Sequence, residues 1–292
     1  MNLVPAPGRT DVRTTDGLLG EPFTPAMAAR HGLGRAGLER LLREGRVVRL
    51  VRGVYLDARV PTTALLRARS LALVVGHRQV VVETTAAWVH GAAPLRLRPD
   101  APIPLDVQGR RARPQPRIPL LPAEVTVLGG VRCTAPVRTA LDVARHLAPE
   151  RALPMLDAMI RAGALTHTEL IAASAARPAY AGTAQVRELT AMADGRAADV
   201  AESVLRLRWY EARLPTPAPG LLVVGQRLAL ALPLHRFGVV LGRVSDDILT
   251  RTAAAGWRVV VLDAQRVRVS DPAVLIGHLE REFHQHLLSA AG

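Results

Sequence analysis

Chemistry needs nucleophiles, acids, bases or metal ligands within reach of one another, and this sequence spaces such residues sparingly. Its one cysteine, Cys133, excludes an internal disulfide and any zinc site built from clustered cysteines. His90, His146 and His167 are widely separated and have no paired carboxylates at ligand spacing, so each reads as a packed or surface histidine. Asp246 and Asp247 head the run SDDILTRTAAAG, where negative charge favours a helix N-terminus without any metal. His235 falls in a turn between two apolar runs, while His284 and His286, two apart on an expected helix, face different ways. No metal ion or cofactor is expected from these residues.

What does cluster is arginine. Arg30, Arg35, Arg40, Arg43, Arg46, Arg49, Arg52 and Arg59 face only Glu39, Glu44 and Asp57 in a short span. The chain carries a formal charge of +13, which suggests a polyanionic partner, because each phosphate neutralised by arginine releases counterions and adds sequence-independent affinity. The total alone is weak evidence. Every basic residue is Arg and none is Lys, and Ala, Leu, Val and Gly abound, as a GC-rich genome would dictate. The distribution therefore carries more than the sum.

The elements that would position these arginines are legible. In FTPAMAARHGLGRAGLERLLREGRVVRLVRGVYLD, Thr24 is a helix cap and Pro25 the first helical residue of a short helix ending at Gly32. In a second helix Leu38, Leu41 and Leu42 share one face, which puts Arg40 and Arg43 on the other and Arg35 at the N-terminal flank. The runs RVVRLV and GVYL then flank a turn at Arg52-Gly53. Helix, turn, helix and hairpin make a winged helix-turn-helix, whose second helix would enter the major groove of double-stranded DNA while the wing touches the backbone. The plainer alternative is a basic helical hairpin with solvated arginines. The run Gly32 to Gly37 also matches G-x-G-x-x-G, but the AMAARH before it has helical spacing and no β-branched residue, so no dinucleotide site is expected.

At 292 residues the chain has room for two or three domains, and 49% hydrophobic with 22% charged residues implies a folded protein. Its apolar runs are too short to span a membrane, its N-terminus lacks the pattern of a signal peptide, and a cytoplasmic location is expected. After the basic segment, LLRARSLALVV reads as a helix, QVVVE as a strand, and TTAAWVHGA as a helix capped by Thr84 or Thr85 and ended by Gly91. A basic turn at Arg110, Arg111 and Arg113 would join two strands; GVRCTAPVRTALDVARHL reads as a strand entering an amphipathic helix, and two more helices meet at Gly163.

Together the closing Arg52-Gly53-Val54-Tyr55 of the hairpin, the helix TTAAWVHG and the strand-helix VRCTAPVRTALDVARHL resemble the AbiEi-type antitoxin family of type IV toxin-antitoxin systems, over roughly residues 20 to 175. That resemblance implies a DNA-binding N-terminal domain that represses its own operon, and a following domain that supports neutralisation of a nucleotidyltransferase-like toxin. From about Ala198 the chain resembles a second family, the small restriction-endonuclease-like domains related to the very-short-patch-repair endonuclease. In AESVLRLRWYEARLP, Glu202 sits where that family has an early acidic residue, and Trp257 would pack the last strand.

Active members of the second family hold a divalent cation between acids on two adjacent strands, as metal-assisted phosphodiester hydrolysis requires. Here the matching positions are Ala229 in RLALALP and Val240 in FGVVLG, so the resemblance implies a nuclease scaffold without its metal site, and no enzymatic activity. The expected fold class is thus α+β / α/β multidomain: a winged helix-turn-helix over 18–60, a mixed α/β middle domain over 61–182 and a degenerate endonuclease-like α/β domain over 195–288. Arg35, Arg40 and Arg43 would read bases or phosphates, and Arg46, Arg49 and Arg52 would hold the backbone. Two rivals stand beside this regulator or antitoxin reading. One is an active metal-dependent DNA endonuclease using Glu202, with Asp246 or Asp247 supplying the missing ligand. The other is an interaction module that docks on a toxin or on the transcription machinery.

Overall fold

A computed structural model describes residues 20–92, 103, 105–108, 119–176 and 182–291; the basic turn at Arg110, Arg111 and Arg113 lies outside them. The described residues form twelve helices and several small sheets, a mixed α/β architecture. The chain divides into two compact units, Met1–Val89 with Pro94–Ala135 and His90–Ala93 with Pro136–Gly292.

In the first unit Thr24 accepts the Met27 amide, Pro25 occupies the first turn, and the short helix α1 (Pro25–Arg30) begins there. Gly32, with φ of 76°, turns the chain, and α2 (Arg35–Arg43) follows with Leu38 and Leu41 buried on one face. Strands β1 (Val47–Val51) and β2 (Val54–Asp57) pair antiparallel about Arg52 and Gly53, where the φ of 81° at Gly53 suits a residue without Cβ. Phe23, Ala28, Leu33, Leu38, Leu41, Val47 and Tyr55 bury one another, so this small core fixes α2 against the hairpin. Here element order agrees with the sequence reading, although α1 ends at Arg30, short of the expected Gly32.

A second core of the same unit gathers α3 (Ala64–Ala72), β3 (Val80–Val81), α4 (Glu83–Val89), β4 (Val125–Leu128) and β5 (Val131–Thr134) around Leu71, Trp88 and Cys133. The three strands run in the order β3, β5, β4, with β3 parallel and β4 antiparallel to β5. Burial pushes the Cys133 thiol up to about 11, leaving it a packing residue. One expectation fails in this region. Thr84 and Thr85 lie inside α4 and do not cap it; the Thr84 hydroxyl donates to the Asp106 carboxylate and the Thr85 hydroxyl accepts the Asp106 amide at 2.7 Å. They tie the helix to a segment more than 20 residues away.

The second unit opens with four helices, α5 (Pro136–His146), α6 (Pro149–Arg161), α7 (His167–Ala176) and α8 (Thr183–Met192). Then comes α9 (Val200–Glu211), buried from Ala201 to Leu207 and again at Trp209. Such a helix serves two neighbours. It packs on α6 on one side and on two helices of the C-terminal segment on the other.

That segment holds β6 (Ala218–Pro219), the small hairpin β7 (Leu222–Val223) and β8 (Gln226–Arg227), then β9 (Leu230–Leu232), β10 (Phe237–Leu241), α10 (Asp246–Ala254), β11 (Arg258–Leu262), α11 (Ala264–Val269) and α12 (Pro272–Ala291). Four strands form one sheet in the order β11, β10, β9, β6; β10 and β11 are parallel through the α10 crossover, and the remaining pairs are antiparallel. The run RLALALP, read as one strand, divides between β8 and β9. Leu228 bonds to Leu221 and Ala229 to Val239, so the chain changes partner at that point.

Candidate functional site

The arginines singled out from the sequence are carried by α2 and the β1–β2 hairpin. Arg35, Arg43, Arg46, Arg49 and Arg52 are exposed and Arg40 is half-buried. Burial of Leu38 and Leu41 turns Arg43 outward, two positions beyond Leu41, while Arg35 is exposed as the first residue of α2. On the hairpin, Val47, Leu50 and Val51 point inward and leave Arg49 and Arg52 to solvent. The Arg49 guanidinium stacks over the Tyr55 ring, 5.5 Å from its centre, while the residue as a whole stays exposed.

The counter-charges here are few and exposed. Arg35 bonds Glu39 at 2.9 Å, Arg40 approaches Glu44 at 3.7 Å, and Arg46 reaches Glu44 only at 4.0 Å. The Glu39 hydrogen bond raises the Arg35 pKa above its ordinary value. Solvent-exposed pairs of this kind contribute little to stability and exchange readily for a phosphate. Arg43, Arg49 and Arg52 have no ion pair within 4.0 Å among the described residues. Arg59 differs, since it clamps the nearly buried Asp57 at 2.7 Å and holds that carboxyl below the usual aspartate range.

Glu202 is on the first turn of α9 and is buried. One oxygen accepts the Ala198 amide at 2.8 Å and the Arg227 guanidinium at 2.9 Å; the other accepts a second nitrogen of Arg227. Arg227 also donates to the Arg196 carbonyl at 2.8 Å. Every Glu202 oxygen thus has an internal donor, and its charge is answered by a guanidinium from β8. The bond to Glu202 raises the Arg227 pKa above its ordinary value.

The positions Ala229 and Val240 are both buried and neighbours along the β9–β10 pairing, where the Ala229 amide bonds the Val239 carbonyl, but their side chains join different clusters. Ala229 packs in the core beneath α9 with Trp209 and Phe237, whereas Val240 belongs to the smaller cluster of Val223, Leu228 and Ala231. Trp257 packs in that smaller cluster too. Asp246 and Asp247 occupy the first turn of α10 behind the Ser245 cap, with Asp247 3.7 Å from Arg251. His286 bonds the His235 carbonyl at 2.6 Å, and His284 bonds the Glu280 carbonyl of its own helix at 2.8 Å. Among the described residues no three of His, Cys, Asp and Glu are grouped to hold a metal ion. No helix among them is long and apolar enough to cross a membrane.

Sequence reasoning missed a buried polar centre in the same unit. Asp157 of α6 pairs with Arg206 of α9, accepts the Ser203 hydroxyl at 2.5 Å and accepts the Asp194 amide at 2.8 Å. Burial raises the Asp157 pKa against these donors. The available clue was Arg206 between Leu205 and Leu207, a charge inside an apolar helical run.

The family of transcriptional regulators described as AbiEi antitoxins matches residues 19–56, the stretch that holds all six predicted DNA-contacting arginines. Two relatives span much more of the chain. Uncharacterized proteins of Mycobacterium tuberculosis, from strains CDC 1551 and H37Rv, are each 30% identical over 215 residues, covering 72% of this chain and 73% of their own length. No solved structure matches.

Proposed function

The chain belongs to the same family as the two mycobacterial proteins, and on that premise we propose that it is a DNA-binding transcriptional regulator or antitoxin of the AbiEi type. The observation that carries this reading is the outward array of Arg35, Arg40, Arg43, Arg46, Arg49 and Arg52, on two elements held rigid by their own core, within the segment that matches the regulators. In this reading the region is a winged helix-turn-helix. Helix α2 enters the major groove, with Arg35, Arg40 and Arg43 toward bases or phosphates, and the hairpin lays Arg46, Arg49 and Arg52 on the backbone. A nucleotidyltransferase-like toxin is the protein partner an antitoxin of this type would neutralise.

Titrating the purified protein into fluorescent duplexes from the region upstream of its own gene, at several salt concentrations, tests the proposal. If about five arginines meet phosphates, log affinity falls with log salt at a slope of about −4.5. Replacing Arg43, Arg49 and Arg52 by alanine reduces the magnitude of that slope by about 3 and weakens binding to all sequences. Binding insensitive to salt, or unchanged in the triple variant, would sink the reading.

For the C-terminal segment we propose an endonuclease-like scaffold without catalysis. The succession α9, β9, β10, α10, β11 is compatible with such a scaffold, and the whole stretch Gln226 to Gly242 contains no Asp or Glu, so no choice of strand register supplies a pair of acids. Glu202 already has Arg227 as its cation. Incubation with supercoiled plasmid and magnesium or manganese should leave the DNA intact. Nicking that disappears in Glu202→Ala would overturn this part.

A further inference from the structure

A cleft unconnected with any residue above opens in the second unit between the end of β11, α11 and α12, with a volume of about 570 Å³. That is the size of cavities that take small organic molecules. Its floor is aliphatic, formed by the buried Val267 and Leu275, with the exposed Val274 at the rim. Its polar side chains are mostly cationic or basic: Arg266, His278 and Arg281 line it. Val274, His278 and Arg281 follow one another at helical spacing, so α12 buries Leu275, Leu279 and Phe283 in the core and turns this neighbouring stripe to the cleft.

The lining carries more positive than negative charge, two arginines against the single carboxylate of Asp263. Neither Arg266 nor Arg281 has a carboxylate within 4.0 Å among the described residues, although acids are close in sequence. Glu282 is engaged by Arg258 at 2.9 Å, and Asp263, itself in the lining, accepts the Arg266 amide at 2.7 Å as the cap of α11. Two guanidiniums therefore share a partly apolar cavity with one carboxylate that is already engaged by a backbone amide. An anion brought in with an aliphatic body would answer the excess positive charge and cover Val274.

We propose that this cleft binds a small organic anion composed of an aliphatic chain and a single carboxylate or phosphate headgroup. The headgroup meets Arg266 and Arg281, with His278 beside them, and the chain lies along Val267, Val274 and Leu275. Isothermal titration of the full-length protein with octanoate, octyl phosphate, inorganic phosphate and octanol tests both halves of the recognition. At least one of the two amphiphiles should bind at one site with a dissociation constant below about 1 mM. It should bind at least about tenfold more tightly than either inorganic phosphate or octanol, and the tighter amphiphile identifies the headgroup.

The Arg266→Gln/Arg281→Gln variant should lose at least about tenfold in affinity, as should Val274→Asp, which places a like charge where the chain would lie. All three substitutions are at exposed positions, so the thermal midpoint should be preserved. Absence of saturable binding by both amphiphiles would overturn the site. So would equal binding of inorganic phosphate, or affinity unaltered in both variants.

Discussion

Arginine does opposite work in two regions of this molecule. Around α2 and the β1–β2 hairpin, most of the guanidiniums point to water and their few glutamate partners are exposed. Around α9, Arg206 is 1% exposed and closes on a fully buried aspartate, and Arg227 closes on the buried Glu202. The side chain is the same; the source of the counter-charge differs. Where the protein supplies it internally, arginine becomes a staple between helices. Where the protein withholds it, the positive surface is free for a polyanion.

The sharpest way to break this contrast is at Arg206. Replacement by methionine leaves Asp157 buried with Ser203 and the Asp194 amide alone, and should cost about 3–5 kcal/mol in urea unfolding. A cost below about 1 kcal/mol would place Arg206 with the surface arginines. Leu41→Ala, beneath the outward array, should cost about 2–5 kcal/mol and abolish DNA binding together with the local fold. Arg227→Gln tests the intermediate case. Its side chain is 37% exposed, so screening limits the expected loss to about 1 kcal/mol, read from the same unfolding curve.

Acid should act on the hairpin through Asp57. Hydrogen bonds from the Arg59 side chain lower its pKa below the ordinary 3.8, so its contribution is present in full above that value and fades as pH falls through the lower folded-state value. Asp57→Asn should therefore flatten the acid limb of the stability profile by a few tenths of a kcal/mol, measured as unfolding midpoint against pH. Smallest of all, alanine at Arg43, Arg49 and Arg52 should alter stability by no more than about 0.5 kcal/mol. A larger loss would mean that these side chains serve the fold.

How much could be read in advance followed the range of the interactions. Thr24, Pro25, Leu38, Leu41 and Gly53 act through neighbours a few residues away, so α1, α2 and the hairpin were legible from spacing alone. The bonds of Thr84 and Thr85 to Asp106 cross more than 20 residues, and the pair of Asp157 with Arg206 crosses 49. Local periodicity holds no trace of such partners. In RLALALP, Leu228, Ala229, Leu230 and Ala231 are all buried, which removes the alternation that would have marked the break between β8 and β9. Ala229 and Val240 could be aligned as a pair by sequence, but which side of a sheet a residue takes shifts with a single residue of register. The cleft of Arg266 and Arg281 depends on how α12 rolls against the sheet, and no motif announces it.

The burial of α9 on both sides also bears on how this protein can be taken apart, in the laboratory or by evolution. Because Asp157 belongs to α6 and its cation to α9, a chain cut between Met192 and Asp199 would strand a carboxylate in an apolar wound. The sheet that follows is hence no detachable cassette. Gene fragments that separate it from the preceding helices should yield insoluble protein.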